Sequence, residues 1–231
     1  MQDCPNFQAR RHGLLDRIHR HYQTTSTIVQ IDQLSLPFTR IADPDRVLDV
    51  VAEADESEPQ RLPYWAELWD SAIGLGQWLG REDPAVLHQQ SVLDLGCGMG
   101  LAGTVAAHRG ASVLFADIEP LALLFAQLNT LASASRIRTR CLDWRTDQLP
   151  ERFDLILGAD ILYEREQWEH LEPFWRAHLK PTGRVLLGEP GRQTGDLFIP
   201  WIRSQNWMLL EHSESVPTRA VPIRLFELSP T

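Results

Sequence analysis

Lysine is almost missing from this chain of 231 residues: Lys180 is the only one, and every other basic side chain at neutral pH is arginine. Lysine and arginine together number 22 against 31 acidic residues, a formal net charge of −9, so a broad cationic surface for nucleic-acid phosphates is not expected. An acidic field attracts cationic or locally basic partners instead. Cysteine is scarce too. Cys4, Cys97 and Cys141 are odd in number and form no CxxC pair, which argues against a disulfide framework or a zinc site and for a reducing compartment. Met1 to Arg11 has no apolar signal core, and no run nears the roughly eighteen apolar residues of a membrane span. The expectation is a cytoplasmic protein with no membrane contact. Repeats and low-complexity tracts are also absent.

Hydrophobic residues make up 43% and charged residues 23%, ordinary globular values. The length suits one α/β core with an N-terminal extension, and the division expected is 1–61 for the extension and 62–231 for the main domain, as a monomer. In the extension, Phe7 to Tyr22 reads as a helix, Thr27 to Leu34 as a strand, and Pro44 to Ala54 as a helix with Asp43 as N-cap, followed by a charged loop from Asp55 to Arg61. Leu62 to Gly80, carrying Tyr64, Trp65, Trp69 and Trp78, reads as a loop entering a helix.

From Ser91 short apolar runs alternate with helical segments, the pattern of a parallel sheet wound on both faces. Strands are expected at Ser91 to Leu95, Ser112 to Asp117, Ile137 to Leu142, Asp154 to Ala159 and Arg184 to Gly188. Helices are expected at Leu101 to Arg109, Leu121 to Leu131 and Arg165 to Leu179, with a turn on Pro181 and Gly183. A helix around Asp196 to Ser204 then leads to a closing strand pair, Met208 to Ser215 and Ala220 to Leu228.

The first strand ends in Gly96-Cys97-Gly98-Met99-Gly100. Glycines there let the backbone turn sharply and bring its N–H groups close to a ligand at a helix N-terminus, which implies a nucleotide-like cofactor. Two readings compete. Gly98 to Gly103 satisfies the dinucleotide fingerprint, with Asp117 about 20 residues downstream as that fingerprint expects. Against it, Asp94 and Gly96 already stand at the strand end, and a carboxylate there repels a pyrophosphate but favours the ammonium and sulfonium of S-adenosylmethionine.

Val92-Leu93-Asp94-Leu95-Gly96-Cys97-Gly98-Met99-Gly100 resembles motif I of class I S-adenosylmethionine-dependent methyltransferases. The resemblance implies a Rossmann-like, doubly wound sheet of seven strands, mostly parallel with an antiparallel C-terminal hairpin strand. It also implies a cofactor site of Asp94, Gly96, Gly98 and Gly100, with Asp117 on the ribose hydroxyls, Ile118 against adenine, Asp143 accepting from the adenine amine and Trp144 as an aromatic surface. The plainer alternative for Asp143 is a helix or turn cap.

Gly158-Ala159-Asp160-Ile161-Leu162-Tyr163 is similar to the Asp-x-x-Tyr segment of the family 16 methyltransferases, which modify lysines in specific proteins. That likeness implies Ala159 beside the cofactor and Asp160 and Tyr163 as the residues that receive the methyl acceptor. S-adenosylhomocysteine would be the product. A lysine ammonium has a pKa of about 10.4, so only about one in a few thousand is a free amine at pH 7, and something must position it and help it lose a proton. Asp160 is expected to hold the amine by charge and Tyr163 to orient it, although as a general base Asp160 would oppose itself by raising the amine's pKa. The plainer alternative is a helix cap and a packed ring. Pro63-Tyr64-Trp65 to Ala72 likewise resembles that family's tryptophan-bearing segment, with Trp69 as the residue expected against the cofactor and Tyr64 and Trp65 equally suited to packing. Its start is reminiscent of the branch acting on the electron-transfer flavoprotein β subunit, whereas Trp69-Asp70-Ser71-Ala72 departs from that branch's Trp-Pro-Gly-Gly.

A protein substrate presenting a lysine is therefore expected, against a small-molecule acceptor, a non-catalytic binding module and, more distantly, a dehydrogenase. His19, His21, His108, His170 and His178 fall at spacings that suit solvated helix faces, so no metal is expected.

Overall fold

A computed structural model describes residues 5–47, 63–133 and 136–231. Strands β3 (Ser91–Leu95), β4 (Ser112–Asp117) and β6 (Phe153–Ala159) are near-continuous apolar runs, as strands covered on both faces must be. With β5 (Ile137–Cys141), β7 (Leu179–Glu189), β8 (Trp207–Glu214) and β9 (Ile223–Pro230) they form one sheet in the order β5-β4-β3-β6-β7-β9-β8. The five strands from β5 to β7 run parallel, while β9 is antiparallel to both its neighbours. The chain winds outward from β3 through β4 to β5 and returns to β6 on the other side of β3. That reversal opens a crevice beyond the carboxyl ends of β3 and β6, where ligands bind in open α/β sheets.

Helices α2 (Asp70–Arg81), α3 (Leu101–His108) and α4 (Pro120–Thr130) cover one face, and α5 (Trp168–His178) and α6 (Gln193–Ser204) cover the other. Trp168, Phe174, Trp175, Phe198 and Ile202 fill the second layer and are all nearly inaccessible. Each such side chain contributes about 1.5–3 kcal/mol by leaving water.

The N-terminal segment does not stand apart. Helix α1 (Pro5–His19) and a hairpin of β1 (Thr24–Ile31) and β2 (Leu34–Ile41) bury Ile18, Ile31 and Phe38 in the same cluster as Leu75 and Val105. Asn129 on α4 fastens the hairpin: Thr39 N–H donates to its Oδ1 (2.8 Å), and its Nδ2 donates to Thr39 O (3.1 Å) and Met99 O (3.0 Å).

Several boundaries shift. The first expected strand becomes a hairpin turning at Asp32, whose φ is 49°. Residues 45–47 are helical where a helix was expected over Pro44 to Ala54, but residues 48–54 and the expected loop from Asp55 to Arg61 lie outside the described residues. The turn expected on Pro181 and Gly183 is an outward bulge inside β7, where the pairing jumps from Phe153↔Leu179 to Leu155↔Arg184. His178 is not on a solvated face: it is buried, its Nδ1 lies 2.7 Å from Phe174 O, and its Nε2 accepts from Leu149 N–H at 2.9 Å. At the amino ends of the strands, Asp154 Oδ2 accepts from Ser91 N–H, Ser91 Oγ and Lys180 Nζ at 2.7–2.8 Å. No helix among the described residues is long and apolar enough to cross a membrane.

Candidate active site

The crevice is a cleft of about 490 Å³, well within the range of cofactor sites. Eleven of the twelve residues expected at the site line it: Trp69, Gly96, Gly98, Gly100, Asp117, Ile118, Asp143, Trp144, Ala159, Asp160 and Tyr163. Asp94 does not.

Gly98 and Gly100 have φ of 51° and 83°, the left-handed region that side chains disfavour. A Cβ at Gly100 would meet Ala126 Cβ at 2.7 Å, and one at Gly98 would crowd Trp65 O at 3.3 Å. The loop therefore needs bare backbone twice over. Asp94 lies beneath it, 2% exposed, and its Oδ2 accepts from Gly103 N–H (2.9 Å) in the first turn of α3. Burial raises its pKa to about 7, with the Gly103 hydrogen bond opposing and Asp117 reinforcing the shift. The helix N-terminus, where a pyrophosphate would otherwise bind, thus already has one of its N–H groups taken by a carboxyl of the protein.

At the end of β4, Asp117 Oδ2 accepts from Gly98 N–H (2.8 Å) and its Oδ1 from Glu119 N–H (2.9 Å), fixing a carboxylate at the cleft wall. Burial raises its pKa to about 6. After β5, Trp144 lies against Gly96 and donates from Nε1 to Gln167 Oε1 (3.1 Å). Asp143 accepts from Arg145 through Nε (2.8 Å) and Nη2 (2.5 Å), so a ligand amine must share this carboxylate with a guanidinium.

Asp160 follows β6 with φ of 54° and donates its N–H to Gly188 O (2.9 Å). Its side chain is 6% exposed and paired side-on with Arg192: Nε donates to Oδ1 (3.1 Å) and Nη2 to Oδ2 (2.8 Å). The carboxylate expected to meet the acceptor alone thus has a cationic partner. The Arg192 guanidinium also lies 5.9 Å from the Trp69 ring centre. Trp69 donates from Nε1 to Tyr64 O (2.7 Å), and Tyr64 packs edge-on against Trp69 (6.1 Å) and Tyr163 (5.3 Å). Burial pushes the Tyr163 phenol up to about 12, helped by Glu164, Tyr64, Asp117 and Asp160, so it keeps its proton at neutral pH.

Sequence reading missed two contributors. Tyr22, Phe38 and Val47 of the N-terminal segment join the cleft wall, and Tyr22 packs edge-on against Trp65 (5.9 Å), which packs on Phe125 (6.2 Å). Nothing local marks them. Arg192 was findable, because Gly191 and Arg192 come directly after the carboxyl end of a strand in a sheet of this class.

A family profile described as lysine methyltransferase matches residues 60–200. The mouse electron transfer flavoprotein beta subunit lysine methyltransferase is 33% identical over 167 residues, which are 70% of this chain and 63% of that protein. The mouse EEF1A lysine methyltransferase 3 is 34% identical over 133 residues, 55% of this chain and 50% of that protein. The chain thus spans between half and two thirds of the length of these relatives. The fold is that of the ribosomal protein L11 methylase from Lactobacillus delbrueckii subsp. bulgaricus, with a TM-score of 0.58 at 22% identity, covering 71% of this chain and 80% of that one.

Proposed function

The chain belongs to the lysine methyltransferase family, and on that premise we propose that it transfers a methyl group from S-adenosylmethionine to a lysine side chain of a partner protein. The observation that carries the reading is the joining, in one cleft, of a bare glycine loop and an aromatic, acidic mouth at the end of β6.

The residues fit the cofactor. Gly98 and Gly100 hold the loop in a left-handed turn that lines the cleft with bare backbone, Asp117 is a fixed carboxylate suited to paired hydroxyls, and Ile118, Leu142 and Trp144 offer apolar surface for a purine. Asp94, already bonded to Gly103, takes a donor at the head of α3 that a phosphate would use, which favours the sulfonium cofactor over a dinucleotide. When bound, S-adenosylmethionine supplies an electrophilic methyl group that an amine lone pair takes as the carbon–sulfur bond breaks.

Asp160 and Tyr163 serve the acceptor. Tyr163, protonated at neutral pH, orients the amine through its hydroxyl, and Asp160 accepts from an amine N–H at the mouth. Rings of Tyr64, Trp69 and Tyr163 give the amine a low-dielectric wall that disfavours its charged form. The mouth opens outward, since Tyr64 is 41% exposed and the Arg192 side chain 43%. That suits a lysine carried on a protein better than an enclosed small molecule. The acidic balance of the chain attracts a basic partner surface, and the reading places the protein in the cytoplasm as a monomer.

Incubating the purified protein with methyl-labelled S-adenosylmethionine and a cell lysate, then separating the products on a gel, tests this. One labelled protein band, lost with Asp160→Ala, is the expected result; label confined to small molecules refutes a protein acceptor.

A further inference from the structure

Resting on that reading, we infer that Arg192 is a positioning residue that masks the charge of Asp160, so that the acceptor site takes the neutral amine of its substrate and not the ammonium. Two parallel N–H···O contacts, 2.8 and 3.1 Å long, join the guanidinium to a carboxylate that is almost out of solvent. Such bidentate pairs are the strong, geometrically specific kind.

The loop that presents Arg192 is itself fastened. Glu189, 1% exposed, accepts Arg192 N–H (2.5 Å) and Gly191 N–H (2.9 Å), and Arg224 stands 3.5 Å from it on the far side. Trp69, the residue just before α2, flanks the guanidinium. Arg192 is held above its ordinary pKa first by hydrogen bonding to Asp160 and then by the charges of Asp160, Glu189 and Tyr64, with burial opposing. Tyr163 feels the charge of Asp160 together with those of Glu164, Tyr64 and Asp117. Arg224 pairs with Glu189 and Asp196, whereas Arg192 is placed directly on the Asp160 oxygens.

The chemical consequence concerns the acceptor's proton. An unpaired carboxylate beside a lysine amine raises the amine's pKa by about 1–3 units, which removes most of the little nucleophile present at neutral pH. A guanidinium already on that carboxylate cancels the effect, while leaving Asp160 a lone pair with which to orient the amine.

The probe needs no knowledge of the protein substrate. Sinefungin resembles S-adenosylhomocysteine but carries a protonated amine where the transferred methyl group would be, so the ratio of the two dissociation constants, measured by calorimetry at pH 7.5, reports how strongly the acceptor site favours a cation. With Arg192→Ala and Arg192→Gln the preference for sinefungin should rise about tenfold, the lower end of a carboxylate's effect because the mouth is wet. Arg192→Lys keeps the charge and should stay within about threefold of the original ratio. Adding Asp160→Asn to Arg192→Ala should return the ratio to the original value. Unchanged affinity for S-adenosylhomocysteine shows that each variant is folded. A flat or falling ratio in Arg192→Ala and Arg192→Gln, or a rise that survives Asp160→Asn, overturns the masking role. Failure of the unaltered protein to bind S-adenosylhomocysteine overturns the cofactor reading itself, and the inference with it.

Discussion

Replacing Asp94 with asparagine should make the unliganded protein less sensitive to alkali. Asp94 is buried under the glycine loop, and burial lifts its pKa from 3.8 to about 7. An acid whose pKa rises on folding holds its proton more tightly in the folded state. Its stabilising contribution is therefore complete below about pH 3.8 and is lost as pH rises through about 7. Worked from those two values, the loss between pH 5 and pH 8 is about 2–3 kcal/mol, or roughly 5–10 °C in Tm for a domain of this size. Asp117, raised by burial to about 6, adds a loss concentrated at the acidic end of the same window. Asparagine has nearly the same shape, and its oxygen still accepts from Gly103 N–H. The gap in Tm between Asp94→Asn and the unaltered chain should therefore widen by roughly 5–10 °C from pH 5 to pH 8. Thermal unfolding followed by circular dichroism at pH 5, 6.5 and 8 reads this directly. Parallel curves for the two proteins would refute burial as the dominant influence on Asp94.

Gly100→Ala forces a side chain into a left-handed conformation and against Ala126, and should cost about 2–4 kcal/mol in urea unfolding; a loss below about 0.5 kcal/mol contradicts the crowding. Ala126→Gly in the same chain should recover part of it. Asn129→Ala removes the bonds to Thr39 and Met99, leaves buried backbone groups unpaired at a cost of about 1–3 kcal/mol, and should speed hydrogen exchange at the Thr39 amide, whereas unchanged exchange there would mean that the hairpin is held by its apolar contacts alone.

The centre of the sheet was readable almost to the residue. Ser91–Leu95 and Ser112–Asp117 are apolar runs closed by glycine or an acidic residue, and burial on both faces leaves such runs no other fold. Strand β2 was not readable because Pro37 sits inside it, and proline demotes a run unless the strand has a free edge for it to face. The cofactor loop was legible for a related reason: three alternating glycines are costly unless the backbone must turn. The role of Asp94 was half legible. Its place at the strand end was plain, but its engagement with Gly103 depends on how α3 docks over β3. That Arg192 follows the carboxyl end of a strand was legible, but its pairing with Asp160 was not. The two are 32 residues apart and meet because β6 and β7 are neighbours, a fact of topology that no local pattern encodes.

The lone Lys180 has a practical consequence. It is anchored on Asp154 at the start of β6, while Asp160 stands past the end of that strand, roughly 20 Å away at about 3.3 Å per residue. No lysine side chain of the protein can enter its own acceptor mouth. Radiolabel found on the protein itself would therefore report one molecule acting on another, and Lys180→Arg would silence it without touching the cleft. For the same reason Lys180 is the one side-chain amine that an amine-reactive dye would mark, at the far end of the sheet from the mouth.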